Sequence, residues 1–68
     1  MRNRIRDART ERGWSQKELA ERLGVSRQTI NALEAGRWDP SLRLAFKAAD
    51  VLGEPIDELF EAEDALTP

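Results

Sequence analysis

Gln16–Ala35 reads QKELAERLGVSRQTINALEA, and its apolar residues fall in two short sets: Leu19, Ala20 and Leu23, then Val25, Ile30 and Leu33. Each set has helical spacing, so each predicts one stripe on one short helix, and both stripes can face a common core. Ser15 with Glu18 three residues later predicts a capping box, in which hydroxyl and carboxylate satisfy orphan N–H groups at the helix start. Gly24 stops that helix, since the left-handed backbone just past a helix C-terminus suits a residue without a Cβ. Ser26 caps the second helix at once. Only Val25 lies between stop and cap, so the chain must turn sharply, and Ala20 is small enough to let the two helices cross closely.

Working outward, Asn3 is the expected N-cap of a first helix from about Arg4 to Arg12, with Ile5 and Ala8 on one face. Arg2, Arg4, Arg6 and Arg12 face mostly outward, and Gly13 ends the helix. Arg9 falls on or beside the apolar face, one turn after Ile5, so it needs a partner if it is buried. On the far side, Asp39-Pro40-Ser41 is a helix-start signal: proline biases the residue before it toward an extended conformation, and Ser41 caps a fourth helix. Leu42, Ala45, Ala48, Ala49 and Leu52 mark the buried stripe of this helix, with Leu44 at its border and Gly53 ending it. Phe46 falls off the stripe and suggests a partner surface. Pro55 opens a short fifth helix whose apolar face is Ile56, Leu59 and Phe60, with Asp57 and Glu58 suited to its N-terminal dipole. That face is expected to serve core and dimer together.

Sixty-eight residues make one domain, expected over 1–61 and followed by a short acidic tail at 62–68. A domain this size removes only about 60% of its unfolded surface from water, so its core is modest and dimerisation would add buried area. The sequence has no cysteine and no histidine, which excludes a disulfide framework and thiolate chemistry and removes the commonest metal ligand. With no tyrosine either, and no phosphate-binding glycine loop, an enzyme is not expected; nor is a metal or other cofactor. Asp57/Glu58 and Glu63/Asp64 read as solubilising pairs. No apolar run approaches the roughly 20 residues that span a bilayer, and the basic start MRNRIRDAR lacks the apolar core of a signal peptide. A soluble, cytoplasmic protein is the expectation. The net charge of −2 is segregated: residues 1–37 hold nine basic against five acidic residues, +4, and residues 38–68 hold two against eight, −6. Such asymmetry lets one surface attract phosphate while the other repels non-specific contact.

Two helices joined by one sharp turn are the layout of a helix-turn-helix, and the motif residues sit where that motif wants them: Ala20, Gly24, Val25, Ile30 and Leu33. With RGWSQ (12–16), EAGRW (34–38), DPSL (39–42) and ELF (58–60) in order around them, the chain resembles the Cro/repressor-like helix-turn-helix proteins. These are also called the xenobiotic-response-element family of transcriptional regulators. The resemblance implies an all-α, five-helix, lambda-repressor-like DNA-binding domain. It also implies a regulator, by default a repressor, that binds a palindromic operator in double-stranded DNA as a homodimer.

If the second motif helix enters the major groove, its N-terminal residues Arg27, Gln28 and Asn31 reach base edges, with Ala32 near them. Arginine can donate two hydrogen bonds to guanine, Gln or Asn can pair with adenine, and Ala32 can lie against a thymine methyl. Gln16 matches a family position that bonds a phosphate and braces a recognition-helix side chain. Arg37, Lys17, Thr29 and then Arg9 or Arg12 are further phosphate candidates. For Trp38 two roles stand open, an N–H toward a phosphate or a cover over the core edge. In the family, residues matching Arg9 and Glu34 form an internal ion pair tying the first helix to the third, and Trp14 resembles the residue that plugs the core beneath the first two helices. A dimer would place two recognition helices one DNA turn apart, about 34 Å, with Phe46, Ile56, Leu59 and Phe60 as interface candidates. A small-molecule effector is not expected. The alternatives are an antitoxin of this fold, or a protein-binding adaptor that keeps the fold without touching DNA.

Overall fold

The computed structural model describes residues 2–61; the acidic tail expected at 62–68 lies outside the described residues. The order is β1 (Arg2–Asn3), α1 (Ile5–Glu11), α2 (Gln16–Leu23), α3 (Arg27–Glu34), α4 (Leu42–Leu52), α5 (Ile56–Leu59) and β2 (Phe60–Glu61). Five helices stand where the apolar spacing placed them.

Serine hydroxyls start the three longest helices. Ser15 accepts from the N–H of Glu18, Ser26 from that of Thr29 and Ser41 from that of Leu44, at 3.0, 3.1 and 3.1 Å. Each bond satisfies one of the donors that a helix N-terminus leaves without an intrahelical partner. The stop after α2 is as sharp as its start: Gly24 adopts φ 73°, in the left-handed region, and its N–H returns to the last turn. Only two residues then separate Gly24 from Arg27, so α3 leaves α2 at a fixed angle over the small, nearly buried Ala20.

The core is built from the expected stripes. Ile5, Leu19, Ile30, Leu33, Leu52 and Leu59 are its largest fully buried side chains, one or two from every helix. Trp14 packs partly against it, and the Arg22 guanidinium stacks over the exposed side of the indole, 4.0 Å from the ring centroid.

Several expectations are corrected. Leu42 does not belong to the buried stripe of α4 and is 69% exposed. As the first residue of the helix it lies a turn beyond the edge of the core, and the stripe starts at Ala45. The capping box at Ser15 is half formed, since the Glu18 carboxylate takes Arg22 at 2.9 Å instead of reaching back. Asn3 accepts from the N–H of Ile5 at 3.1 Å, but α1 starts a residue late, with Arg4 as its N-cap. The Asn3 amide also donates to the carbonyl of Leu33, at 2.8 Å. Arg12 is not outward: its guanidinium donates to the carbonyl of Ala8 at 2.7 Å and to that of Leu52, clamping the ends of α1 and α4 together. Phe60, finally, leaves the fifth helix for an extended backbone, φ −117° and ψ 133°. There it pairs antiparallel with Asn3, as Glu61 does with Arg2. This two-residue ribbon ties both ends of the described chain together and keeps Phe60 in the core, 8% exposed.

Candidate nucleic-acid interface

The site is assembled by the two ends of α2 and α3. Because Ser26 fixes the start of α3, Arg27 and Gln28 occupy its first turn, and Asn31 comes one turn later on the same side; all three are exposed. Gln16, the first residue of α2, is brought beside them by the crossing of the two helices, and Arg37 succeeds α3 after the turn at Gly36. Together Gln16, Arg27, Gln28, Asn31 and Arg37 line one polar concavity of about 370 Å³. Among the other sequence candidates, Lys17 is exposed on the first turn of α2, Ala32 is half-buried, and Trp38 is 37% exposed in the loop before α4. Thr29 is tied to the helix cap, its hydroxyl 2.9 Å from that of Ser26.

Beneath this concavity lies a buried charge. The Glu34 side chain is wholly inaccessible, and its carboxylate accepts from Arg9 Nε at 2.6 Å, Arg9 Nη2 at 3.1 Å and Gln16 Nε2 at 3.0 Å. Arg6 adds its charge at 3.5 Å. The remaining Arg9 donor reaches the carbonyl of Trp14, at 2.9 Å. Burial alone would raise the Glu34 pKa, but the hydrogen bonds from Arg9 and Gln16 and the Arg9 charge outweigh it, so the carboxyl titrates below its ordinary value. The same bond to Glu34 holds Arg9 above its own. One end of the network is a helix-to-helix tie, and the other end is Gln16, so the tie also positions a wall of the concavity.

Pairing changes the meaning of the charge count. Arg2 sits 3.4 Å from Glu61, Arg4 3.3 Å from Glu54, Arg12 3.7 Å from Glu54 and Arg22 2.9 Å from Glu18. Arg6 and Arg9 share Glu34. The excess of +4 in residues 1–37 is therefore not a free surface, contrary to the plain count. Arg9, 11% exposed, and Arg12 are committed inside the fold and drop out as phosphate candidates. Among the described residues, the cations with no carboxylate within ion-pair distance are Lys17, Arg27, Arg37, Arg43 and Lys47. Arg27 and Arg37 line the concavity, and Lys17 follows Gln16, which lines it too. Arg43 and Lys47 escaped the sequence reading because they stand in the acidic half of the chain.

A second, apolar concavity of about 380 Å³ is lined by Asp39, Pro40, Leu42, Ala45, Ile56 and Phe60. Beside it Phe46 is 56% exposed. Of the expected interface residues, Leu59 is fully buried in its own chain's core and cannot meet a second copy, because α5 turns it inward under α4. Phe46 and half-buried Ile56 do present apolar surface, and Leu42 joins them. Among the described residues, no group of acidic side chains could hold a metal ion, and no helix is long and apolar enough to cross a membrane.

Comparison with known proteins agrees with the fold. The family profile described as Helix-turn-helix matches residues 5–59. An uncharacterized helix-turn-helix-type transcriptional regulator of Methanocaldococcus jannaschii is 48% identical over 64 residues, 94% of this chain and 97% of that protein. Among solved structures, the N-terminal DNA binding domain of SinR from Bacillus subtilis superimposes with a TM-score of 0.76, at 31% identity and 88% coverage of each chain. The restriction-modification controller protein C.AhdI from Aeromonas hydrophila gives a TM-score of 0.75 at 37% identity, covering 84% of this chain and 83% of its own.

Proposed function

The chain belongs to the helix-turn-helix family of transcriptional regulators, with their five-helix, lambda-repressor-like fold, and from that premise we propose that it is a sequence-specific repressor. It binds a palindromic operator as a homodimer and lays α3 in the major groove of double-stranded DNA. Members of this family regulate transcription and are not enzymes.

The observation that carries the reading is the polar concavity at the exposed start of α3, which gathers Gln16, Arg27, Gln28, Asn31 and Arg37. Arg27, Gln28 and Asn31 read base edges: the guanidinium suits guanine O6 and N7, and either amide suits adenine. Ala32 takes a thymine methyl. Lys17 and Arg37, without a carboxylate partner among the described residues, are exposed and contact phosphates, which fixes the register of the helix without reading sequence. Gln16 contributes the N-terminal N–H groups of α2 to the same backbone while its amide is held on Glu34. Thr29 and Trp38 lie at the border of this surface and approach phosphate there.

Dimerisation uses Leu42, Phe46 and Ile56 with the rim of Phe60. These residues surround the apolar concavity, on elements other than the reading helix, so a second copy can cover them without blocking DNA. Repression results from occupancy of a promoter, and operator choice needs no small-molecule effector. The protein acts in the cytoplasm, on the nucleoid.

Selection of binding sites from random duplex DNA, with light scattering of the complex at two salt concentrations, tests the proposal. An enriched palindrome with half-sites about 34 Å apart and a two-chain complex is the expected result. Weak, sequence-blind binding by a single chain would instead favour an antitoxin, and no duplex binding at all would favour a protein-binding adaptor.

A further inference from the structure

Of the five cations without a carboxylate partner among the described residues, two stand away from the reading concavity. Arg43 and Lys47 are four residues apart on the outer side of α4, both exposed, so they share a face at about 5 to 6 Å spacing. Lys47 also has a defined neighbour. Its ammonium lies over the α2–α3 turn, 3.6 Å from where a Cβ on Gly24 would stand. Gly24 ends α2, whereas Gln16 and Lys17 begin it, so cations without an ion-pair partner flank both ends of that helix. Eight residues make α2 about 12 Å long, which is the width of the major groove, also about 12 Å. A helix lying across the groove mouth would set its two ends against the two opposite phosphate backbones.

On the reading of α3 as the groove helix, we infer that Arg43 and Lys47 form a second phosphate-tracking edge, on the backbone opposite the one met by Lys17 and Arg37. The edge is short. Asp50, one turn past Lys47 on α4 and exposed, bounds it with negative charge. The charge pattern of α4 therefore supplies a strip two cations long inside an acidic half. A duplex backbone fits that strip, and a wider acidic protein surface would meet Asp50 as well.

The test is the slope of log K against log salt on one selected duplex, for the full chain and three variants: Arg37→Gln, the pair Arg43→Gln/Lys47→Gln, and Lys47→Arg. Each lost phosphate contact flattens the slope by about 0.9. In the two-chain complex the double variant removes four such contacts and is expected to flatten the slope by about 3.6, to weaken all sequences alike and to leave the ranking of bases unchanged, while Lys47→Arg keeps the full slope. A Lys47 that serves only the C-terminal end of α2 would lower the melting temperature and leave the slope alone, and that result overturns the inference. If Arg37→Gln flattens the slope and the double variant does not, the second edge is wrong and the groove reading stands. If the full chain shows no salt-dependent binding to any duplex, both fail together.

Discussion

The arginines of the first helix and the cations around the third carry the same charge to opposite ends. Arg4, Arg6, Arg9 and Arg12 all lie within 4 Å of a carboxylate, and Arg12 also closes the carbonyl ends of two helices. Lys17, Arg27 and Arg37 have no such partner among the described residues and stand in solvent around the concavity. The first group holds the fold and the second is available to a ligand. A count of charges along the chain merges the two, whereas availability for phosphate depends on which carboxylates the fold has already delivered.

Glu34 is the residue on which the fold-holding arginines depend most. Replacing it as Glu34→Gln leaves Arg9, almost entirely buried, without its counter-ion, and should cost about 3 to 5 kcal/mol of stability at neutral pH. Urea denaturation across pH measures this. Because the folded-state pKa of Glu34 is depressed, its contribution is complete above the unfolded value of about 4.3 and is lost as pH falls through the folded one. The gap between variant and parent should therefore begin to narrow as pH falls past the unfolded value and close only once pH has fallen through the folded one. A gap independent of pH would mean that packing, not the ion pair, joins α1 to α3. DNA affinity should also suffer in Glu34→Gln, since the charge-assisted bond that fixes Gln16 beside Arg27 becomes a weaker neutral one.

Much of this was written locally in the chain. The Ser15, Ser26 and Ser41 caps, the left-handed Gly24 and the stripes of α2 and α3 depend on neighbours within a turn, so spacing alone placed them. Spacing also put Arg27, Gln28 and Asn31 at the outer start of α3, whereas Gln16 and Arg37, which complete the concavity, were named through the family resemblance. The union of Arg9 with Glu34 came through family resemblance; position along the chain showed only that Arg9 needed a partner. The features that escaped depend on distant partners. The Arg2–Asn3 and Phe60–Glu61 ribbon is two residues per strand, too short for any alternation to register. Leu42 matched the helical period of its stripe, yet the core ends one turn short of it. Whether Arg12 faces solvent or the C-terminus of α4 is decided 40 residues away. Glu18 and Arg22, at i and i+4, pair within one helix, and the expected capping box passed that pair over.

Arg27 makes no ion pair among the described residues, so Arg27→Ala should leave the melting temperature nearly unchanged. In operator variants, however, it should erase about 1 to 3 kcal/mol of discrimination at a single base position. A uniform loss across all sequences would reassign Arg27 to the backbone and move the reading role to Gln28 and Asn31.

The smallest effect is expected at Arg22, and it tests whether exposure or pairing decides a cation's role. Arg22 is exposed like Arg37, at 44% of its side chain, but it is held by Glu18 and stacked on Trp14. A surface pair with a stacked ring is worth about 1 kcal/mol or less, so Arg22→Gln should lower the melting temperature slightly and alter the Trp14 fluorescence. Its charge is already answered within α2, and a phosphate would have to displace both partners to reach it. The salt slope of DNA binding should therefore match that of the parent, while Arg37→Gln, lost from both chains of the dimer, flattens it by about 1.8. If Arg22→Gln flattened the slope as much, exposure alone would govern phosphate contact, and the paired arginines of α1 would return as candidates.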